Sequence, residues 1–109
     1  MADTSHLSVA QMRENAGEAT AMLRLLAHED RLLLLCQLSQ EELCVSDLET
    51  RLAIHQPTLS QQLGVLRREG LVATRRQGKH IHYRIADKSV LVLLQTLYEL
   101  YCQPKGEAS

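Results

Sequence analysis

The chain has 109 residues and a formal net charge of −1, with three tyrosines and neither phenylalanine nor tryptophan. This length predicts a single domain, residues 1–109, whose core is modest enough that dimerisation would help to complete it. No apolar run of about eighteen residues and no signal-peptide centre is present, which excludes a membrane-spanning segment and predicts a cytoplasmic protein. Three cysteines, Cys36, Cys44 and Cys102, cannot all pair within one chain, so we expect free or regulatory thiols.

The first predicted helix begins after Ser8. Its apolar positions recur at spacings of three and four residues, which indicates one seam facing a partner helix; they are Val9, Met12, Ala16, Ala19, Leu23 and Leu26. A second helix, from about Glu29 to Leu38, is apolar on nearly every side and is expected at the centre of the core. Residues 1–18 and 103–109 are expected to be partly flexible.

Two shorter helices follow. Ser46-Asp47-Leu48-Glu49 has the form of a capping box that opens a third helix through Leu52. Pro57 suits the first turn of a fourth helix, whose buried stripe is Leu59, Leu63 and Leu66. Gly70 fits the left-handed position that ends such a helix.

Residues 71–76 and 80–85 alternate as paired strands, and Gln77-Gly78-Lys79 forms the turn between them. Ser89 starts a last helix that ends near Cys102. The order α-α-α-α-β-β-α predicts a mainly α fold with a two-stranded β-hairpin, which is a winged helix-turn-helix. Residues 45–85 would form its DNA-binding part.

The charge is strongly segregated along the chain. Residues 1–50 carry three Arg or Lys against nine Asp or Glu, whereas residues 51–85 carry seven Arg or Lys against Glu69 alone. A basic segment inside an acidic chain is typical of a surface that binds a polyanion. A merely solvated basic surface is the alternative, and the concentration of charge on one helix and one hairpin disfavours it.

The fourth helix presents short polar side chains outside its buried stripe, as a helix in the DNA major groove requires. Gln61 suits paired hydrogen bonds to an adenine edge, while basic side chains suit phosphates. The candidate DNA-binding residues are Gln56, Thr58, Ser60, Gln61, Gln62, Arg67, Arg68, Arg75, Arg76, Lys79 and His80. The partner is therefore predicted to be double-stranded DNA.

The segment from Val45 to Ile85 resembles the ArsR/SmtB family of winged-helix repressors, and the similarity extends from Ala19 to Cys102. Residues 56–67, QPTLSQQLGVLR, are particularly similar to the branch that contains BigR, SqrR and HlyU. The resemblance implies a homodimer built from residues 8–26 and 89–102. It also implies binding to an imperfect palindromic operator, with half-sites about 34 Å apart.

The cysteines suggest what the protein senses. In the BigR-like branch, cysteines that match Cys36 and Cys102 sense persulfides and related reactive sulfur. The resemblance implies that one thiol is persulfidated and that the other attacks it, leaving a disulfide or polysulfide link that releases DNA. The opposing interpretation is a small buried hydrophobe at Cys36 and a loosely held terminal thiol at Cys102.

Metal sensing and enzymatic activity are weaker alternatives. In Glu42-Leu43-Cys44-Val45-Ser46-Asp47-Leu48, Ser46 replaces the second thiolate of a metal site known in the family, so Cys44 is interpreted as structural. His80 and His82 permit weak metal binding at most, and no metal or cofactor is predicted. Cys36 and Cys102 lie in C-terminal halves of helices, where the dipole opposes a catalytic thiolate. A winged helix that binds only proteins is the remaining alternative.

Overall fold

The computed structural model describes residues 8–102 of the chain. Its elements are α1 (Val9–Leu26), α2 (Glu29–Leu38), β1 (Leu43–Cys44), α3 (Val45–Leu52), α4 (Thr58–Arg68), β2 (Val72–Gln77), β3 (His80–Ile85) and α5 (Lys88–Tyr101). The predicted winged helix-turn-helix order is confirmed, with β1 as an addition. The flexible ends expected at residues 1–7 and 103–109 lie outside the described residues, whereas residues 9–18 belong to α1.

The first two helices begin and end where the sequence predicts. The Ser8 hydroxyl accepts a hydrogen bond from the Gln11 N–H, and the Gln11 side chain accepts one from the Ser8 N–H, both at 3.1 Å. This reciprocal pair satisfies two amides that the first turn leaves free. The second helix has the predicted bounds, and Leu34, Leu35 and Leu38 are its buried residues.

The predicted capping box at Ser46 is wrong. Helix α3 begins at Val45 with Cys44 as its N-cap, and no side chain caps it. The reason is tertiary: Leu43 and Cys44 pair with Tyr83 and His82 of β3, which holds the chain extended up to the residue where the helix starts. The start of α5 also differs, because the carboxylate of Asp87, rather than Ser89, caps the helix.

The end of α4 follows the predicted glycine signal. Gly70 has φ +78°, in the left-handed region. Its N–H donates to the Arg67 carbonyl at 3.1 Å, and the Leu71 N–H donates to the Leu66 carbonyl at 2.9 Å. These two bonds satisfy the last carbonyls of the helix and turn the chain directly into β2.

The sheet has three antiparallel strands in the order β1-β3-β2. The pairing of β2 with β3 runs from Val72 opposite Ile85 to Gln77 opposite His80, so the turn of the wing consists of Gly78 and Lys79. The two-residue strand β1 attaches this hairpin to the start of α3. The wing is therefore anchored to the helix-turn-helix at its base.

Leucines from α2, α3 and α4, with Val90 and Leu94 of α5, form one core cluster. By contrast, α1 buries only Leu26, and large apolar side chains remain exposed on α1 and α5. They include Val9, Met12, Leu23, Val92, Leu100 and Tyr101, the last being 79% exposed. None of the helices within residues 8–102 is long and apolar enough to span a membrane.

Candidate nucleic-acid interface and cysteine pair

Helix α4 has one face in the core and one face in solvent. Leu59, Leu63 and Leu66 are almost completely buried, as the sequence predicts. At 100° per residue, Gln61 and Arg68 fall on the opposite side, and both are exposed. Exposed Ser60 and Arg67 lie together along one edge of this outer side. The outer face of α4 is thus polar and basic without a bulky hydrophobe at its centre.

Three of the predicted DNA-binding residues do not lie on the exposed outer side of α4. The Gln56 side-chain oxygen accepts a hydrogen bond from the Ser60 N–H at 3.1 Å, so this amide helps to cap α4. Thr58 is half-buried, and the Oε1 atom of Gln62 is buried without a hydrogen-bond partner. Gln62 lies near the leucine stripe and points toward the body of the protein, so we leave it out of the groove-facing set.

The wing carries its cations on two faces. Arg76, Lys79 and His80 are exposed near the tip. Arg75 is instead paired with Glu42: its Nε and Nη2 atoms lie 2.6 Å and 2.5 Å from the same carboxylate oxygen. Sequence reasoning assigned Arg75 to phosphate and missed this pair, because its partner is 33 residues away and no local pattern links the two.

The Glu42 carboxylate lies in a positively charged environment. The hydrogen bond from Arg75, followed by the charges of Arg75, His82 and Arg84, holds the pKa of Glu42 below its ordinary value. The same bond raises the pKa of Arg75. Glu42 therefore neutralises part of the basic surface that the sequence predicts.

Cys36 and Cys102 are free thiols, and both are exposed. The prediction's alternative of a buried Cys36 is therefore wrong. Cys36 lines an open cavity of about 470 Å³ between the end of α2 and α5, together with Leu91, Gln95 and Tyr98. Cys102 follows α5, and its N–H donates to the Tyr98 carbonyl at 2.8 Å.

Cys36 and Cys102 both lie near the end of α5. Tyr98 lines the cavity of Cys36 and lies one helical turn before Cys102, so the two thiols share one region of the surface. Desolvation by burial, followed by the nearby Cys102, raises the pKa of Cys36. Cys36 is on α2 and Cys102 follows α5, so neither thiol belongs to the outer face of α4.

Cys44 has a different environment. It is buried, and its Sγ atom lies 3.2 Å from both the Ser46 hydroxyl and an Asp47 carboxylate oxygen. This thiol hydrogen bond is the main cause of a lowered pKa at Asp47. Residues 8–102 contain no group of three or more His, Cys, Asp or Glu side chains arranged to hold a metal ion. A satisfied thiol in the sheet agrees with the structural interpretation of Cys44.

Comparisons with known proteins agree with this architecture. Residues 28–74 match the family described as "Bacterial regulatory protein, arsR family". The biofilm growth-associated repressor of Agrobacterium fabrum is 46% identical over 103 residues, which cover 94% of this chain and 88% of the relative. Being similar to a transcriptional regulator supports the prediction that this protein is not an enzyme.

Solved structures extend the similarity to three dimensions. The crystal structure of the transcriptional repressor BigR from Xylella fastidiosa has a TM-score of 0.81 at 42% identity, over 90% of this chain and all of that one. A homodimeric winged helix-turn-helix DNA-binding domain from Mycobacterium bovis has a TM-score of 0.70 at 28% identity, over 87% of each chain. The predicted resemblance to the BigR-containing branch is confirmed.

Proposed function

This chain belongs to the ArsR family of bacterial transcriptional regulators, and on that basis we propose that it is a homodimeric repressor that leaves its operator when Cys36 and Cys102 become linked. The observation that carries the proposal is the exposed pair of thiols: Cys36 lines the cavity between α2 and α5, and Cys102 lies one turn after Tyr98, which lines the same cavity. The pair stands apart from the groove-facing side of α4. Sensing and DNA binding thus use different surfaces of one small domain.

DNA binding is assigned to the outer face of α4 and the wing. Gln61 and Arg68, which are exposed on the side opposite the leucine stripe, and Ser60 and Arg67, which are exposed along one edge of that side, would face the major groove and its phosphates. Arg76, Lys79 and His80 would contact the adjacent backbone or minor groove. Gln56 would act mainly through α4, because its amide caps that helix.

The homodimer rests on the exposed apolar residues of α1 and α5. Val9, Met12, Leu23, Leu100 and Tyr101 expose between 49% and 79% of their surface. Apolar patches of this kind on a small domain mark interfaces, and two copies would bury them against each other. The homodimeric neighbour from M. bovis supports this arrangement. Two α4 helices related by two-fold symmetry then fit half-sites about 34 Å apart.

Reactive sulfur is the proposed inducer. One cysteine thiolate attacks the outer sulfur of a low-molecular-weight persulfide, RSSH, and releases the thiol RSH after proton transfer. The second cysteine then attacks the inner sulfur of the new cysteine persulfide and expels hydrogen sulfide, which leaves a disulfide. The two oxidising equivalents come from the persulfide. Further persulfide would insert sulfur atoms and give a polysulfide link.

The effect of the link on DNA binding can be transmitted to α4 through the hydrophobic core. Helix α2 packs against α4, and the leucines of both helices belong to one cluster. Tying Cys36 on α2 to Cys102 after α5 would fix one packing of these helices and change the placement of α4. Each tenfold loss of operator affinity requires about 1.4 kcal/mol of such coupling.

The test measures binding to the DNA upstream of the protein's own gene, with and without an organic persulfide. Persulfide should release the wild-type protein and Cys44→Ser, the matched control, but should not release Cys36→Ser or Cys102→Ser. Mass spectrometry should find the link in released wild-type protein. Undiminished release of Cys36→Ser, or release by zinc or cadmium but not by sulfur species, would refute the switch.

A further inference from the structure

The ion pair between Glu42 and Arg75 joins the segment before β1 to the outer strand of the wing. Arg75 directs both Nε and Nη2 to one carboxylate oxygen, at 2.6 Å and 2.5 Å. The Glu42 side chain is only 26% exposed, whereas that of Arg75 is 48% exposed. The guanidinium is thus held against the sheet although solvent reaches it.

The sheet register explains why these residues meet. Cys44, His82 and Arg75 are aligned across the three strands and share a face. Because side chains alternate along extended chain, Glu42 lies on that same face as Cys44. The neighbouring position on the same face of β3 is Arg84, whose partner on β2 is Ala73.

The remaining wing cations have a different setting. Arg76 follows Arg75 on β2, so its side chain points to the other face, where Ile81 is its cross-strand partner. Lys79 lies in the turn. Within residues 8–102, the ion pairs involve Arg75 but neither Arg76 nor Lys79. Glu42 therefore engages one of three cations at the end of the wing.

We propose that Glu42 limits sequence-independent binding to DNA by competing with phosphate for Arg75. Sequence-independent binding depends on how many cations neutralise phosphates and release counterions. A guanidinium already paired with a carboxylate must give up that partner before it can contribute. The inference rests on the proposed DNA binding and is independent of the sulfur switch.

The experiment measures binding to a duplex of random sequence across a range of salt concentrations. Glu42→Gln should free Arg75 and steepen the plot of log affinity against log salt by about 0.9 per wing. For a dimer with both wings on DNA, the change is about 1.8. In this variant, each wing increases the loss of affinity between about 50 and 200 mM salt by a further factor of roughly 3.5. Binding at low salt should be tighter than that of the wild type.

Two variants make the result specific. Glu41→Gln removes the same charge one residue away, but it breaks the 3.0 Å pair with Arg51 of α3 and releases no wing cation. Its slope should match the wild type. The double variant Glu42→Gln/Arg75→Gln should also return to the wild-type slope.

An unchanged slope in Glu42→Gln, or an increase that survives in the double variant, would overturn the inference. An equal increase in Glu41→Gln would do the same, because it would show a general charge effect. If the wild-type protein itself bound DNA without salt dependence, the proposed DNA binding would fail instead. The two failures are therefore distinguishable.

Discussion

Gly64→Ala is expected to stabilise the protein although the substitution lies in the middle of α4, the helix proposed to face DNA. Gly64 lies between Gln61 and Arg68 on the outer stripe of α4. A Cβ atom built there has only the Arg68 Nη1 atom within 4 Å, at 3.6 Å, which is ordinary van der Waals contact. No atom of the described residues, 8–102, therefore requires glycine at this position. Alanine in a helix interior is favoured over glycine by about 0.8–1.0 kcal/mol, so the free energy of unfolding should rise by that amount.

The assay is urea and thermal unfolding followed by circular dichroism at a fixed protein concentration, because a dimer's melting temperature depends on concentration. A gain of about 1 kcal/mol should raise the melting temperature by about 4 °C. Gly70→Ala provides a matched control. The added Cβ atom at Gly70 would meet no described atom within 4 Å, but φ is +78° there, so this variant should lose about 1–2 kcal/mol.

Destabilisation by Gly64→Ala would refute the reasoning, since it would mean that the chain does need glycine at this position. The same variant also tests the DNA surface. If α4 enters the major groove, a methyl group at Gly64 comes between the backbone and the DNA, and operator affinity should fall while stability rises. Unchanged affinity would argue that this part of α4 does not approach DNA closely.

Three further substitutions test the wing, the core and a helix cap. Arg76→Ala should flatten the plot of log affinity against log salt by about 0.9 per phosphate contact. Arg75→Ala should leave this slope near the wild-type value. Equal changes of slope in the two variants would contradict the claim that Arg76 contacts phosphate and Arg75 does not. Leu63 is only 1% exposed, so Leu63→Ala should lower the free energy of unfolding, measured by urea denaturation, by about 2–5 kcal/mol. A loss below about 1 kcal/mol would contradict the place of Leu63 in the core. Asp87→Ala should cost about 1 kcal/mol at about pH 7. Hydrogen bonds from the Ser89 hydroxyl and N–H lower the pKa of Asp87 in the folded protein. The stabilisation by the Asp87 carboxylate is therefore fully present above the unfolded pKa of about 3.9. It is lost as the pH falls through the lower folded pKa. If the difference in the free energy of unfolding between Asp87→Ala and wild type persisted in strong acid, it could not come from the Asp87 carboxylate.

Much of the fold could be predicted because its signals are local. Ser8 caps α1 by bonding to a residue three positions away, and Gly70 ends α4 because that turn requires a positive φ. The leucine stripe of α4 follows from helical periodicity alone. The strand β1 could not be predicted in this way. Two residues carry no periodicity, and their pairing with Tyr83 and His82 joins parts of the chain about forty residues apart.

In the candidate site, too, features set by local pattern could be predicted and features set by packing could not. Exposure of Gln61 and Arg68 follows from their positions opposite the leucines. The partial burial of Gln62, whose Oε1 atom is buried, depends on the packing around α4 and was missed. Likewise, a charge count treats Arg75 and Arg76 as equivalent, whereas the sheet places them on opposite faces.

The sequence by itself determined the winged helix-turn-helix order and the basic segment, because caps, periodicity and charge are properties of neighbouring residues. The similarity of residues 56–67 to known repressors indicated the family. Only the tertiary structure decided which cations remain free and whether the distant cysteines interact. Glu42 meets Arg75 because β1, β3 and β2 form one sheet, and Cys36 and Cys102 share one region because residues of α2 and α5 line the same cavity. Such contacts depend on how the elements pack, which no local pattern in the chain encodes.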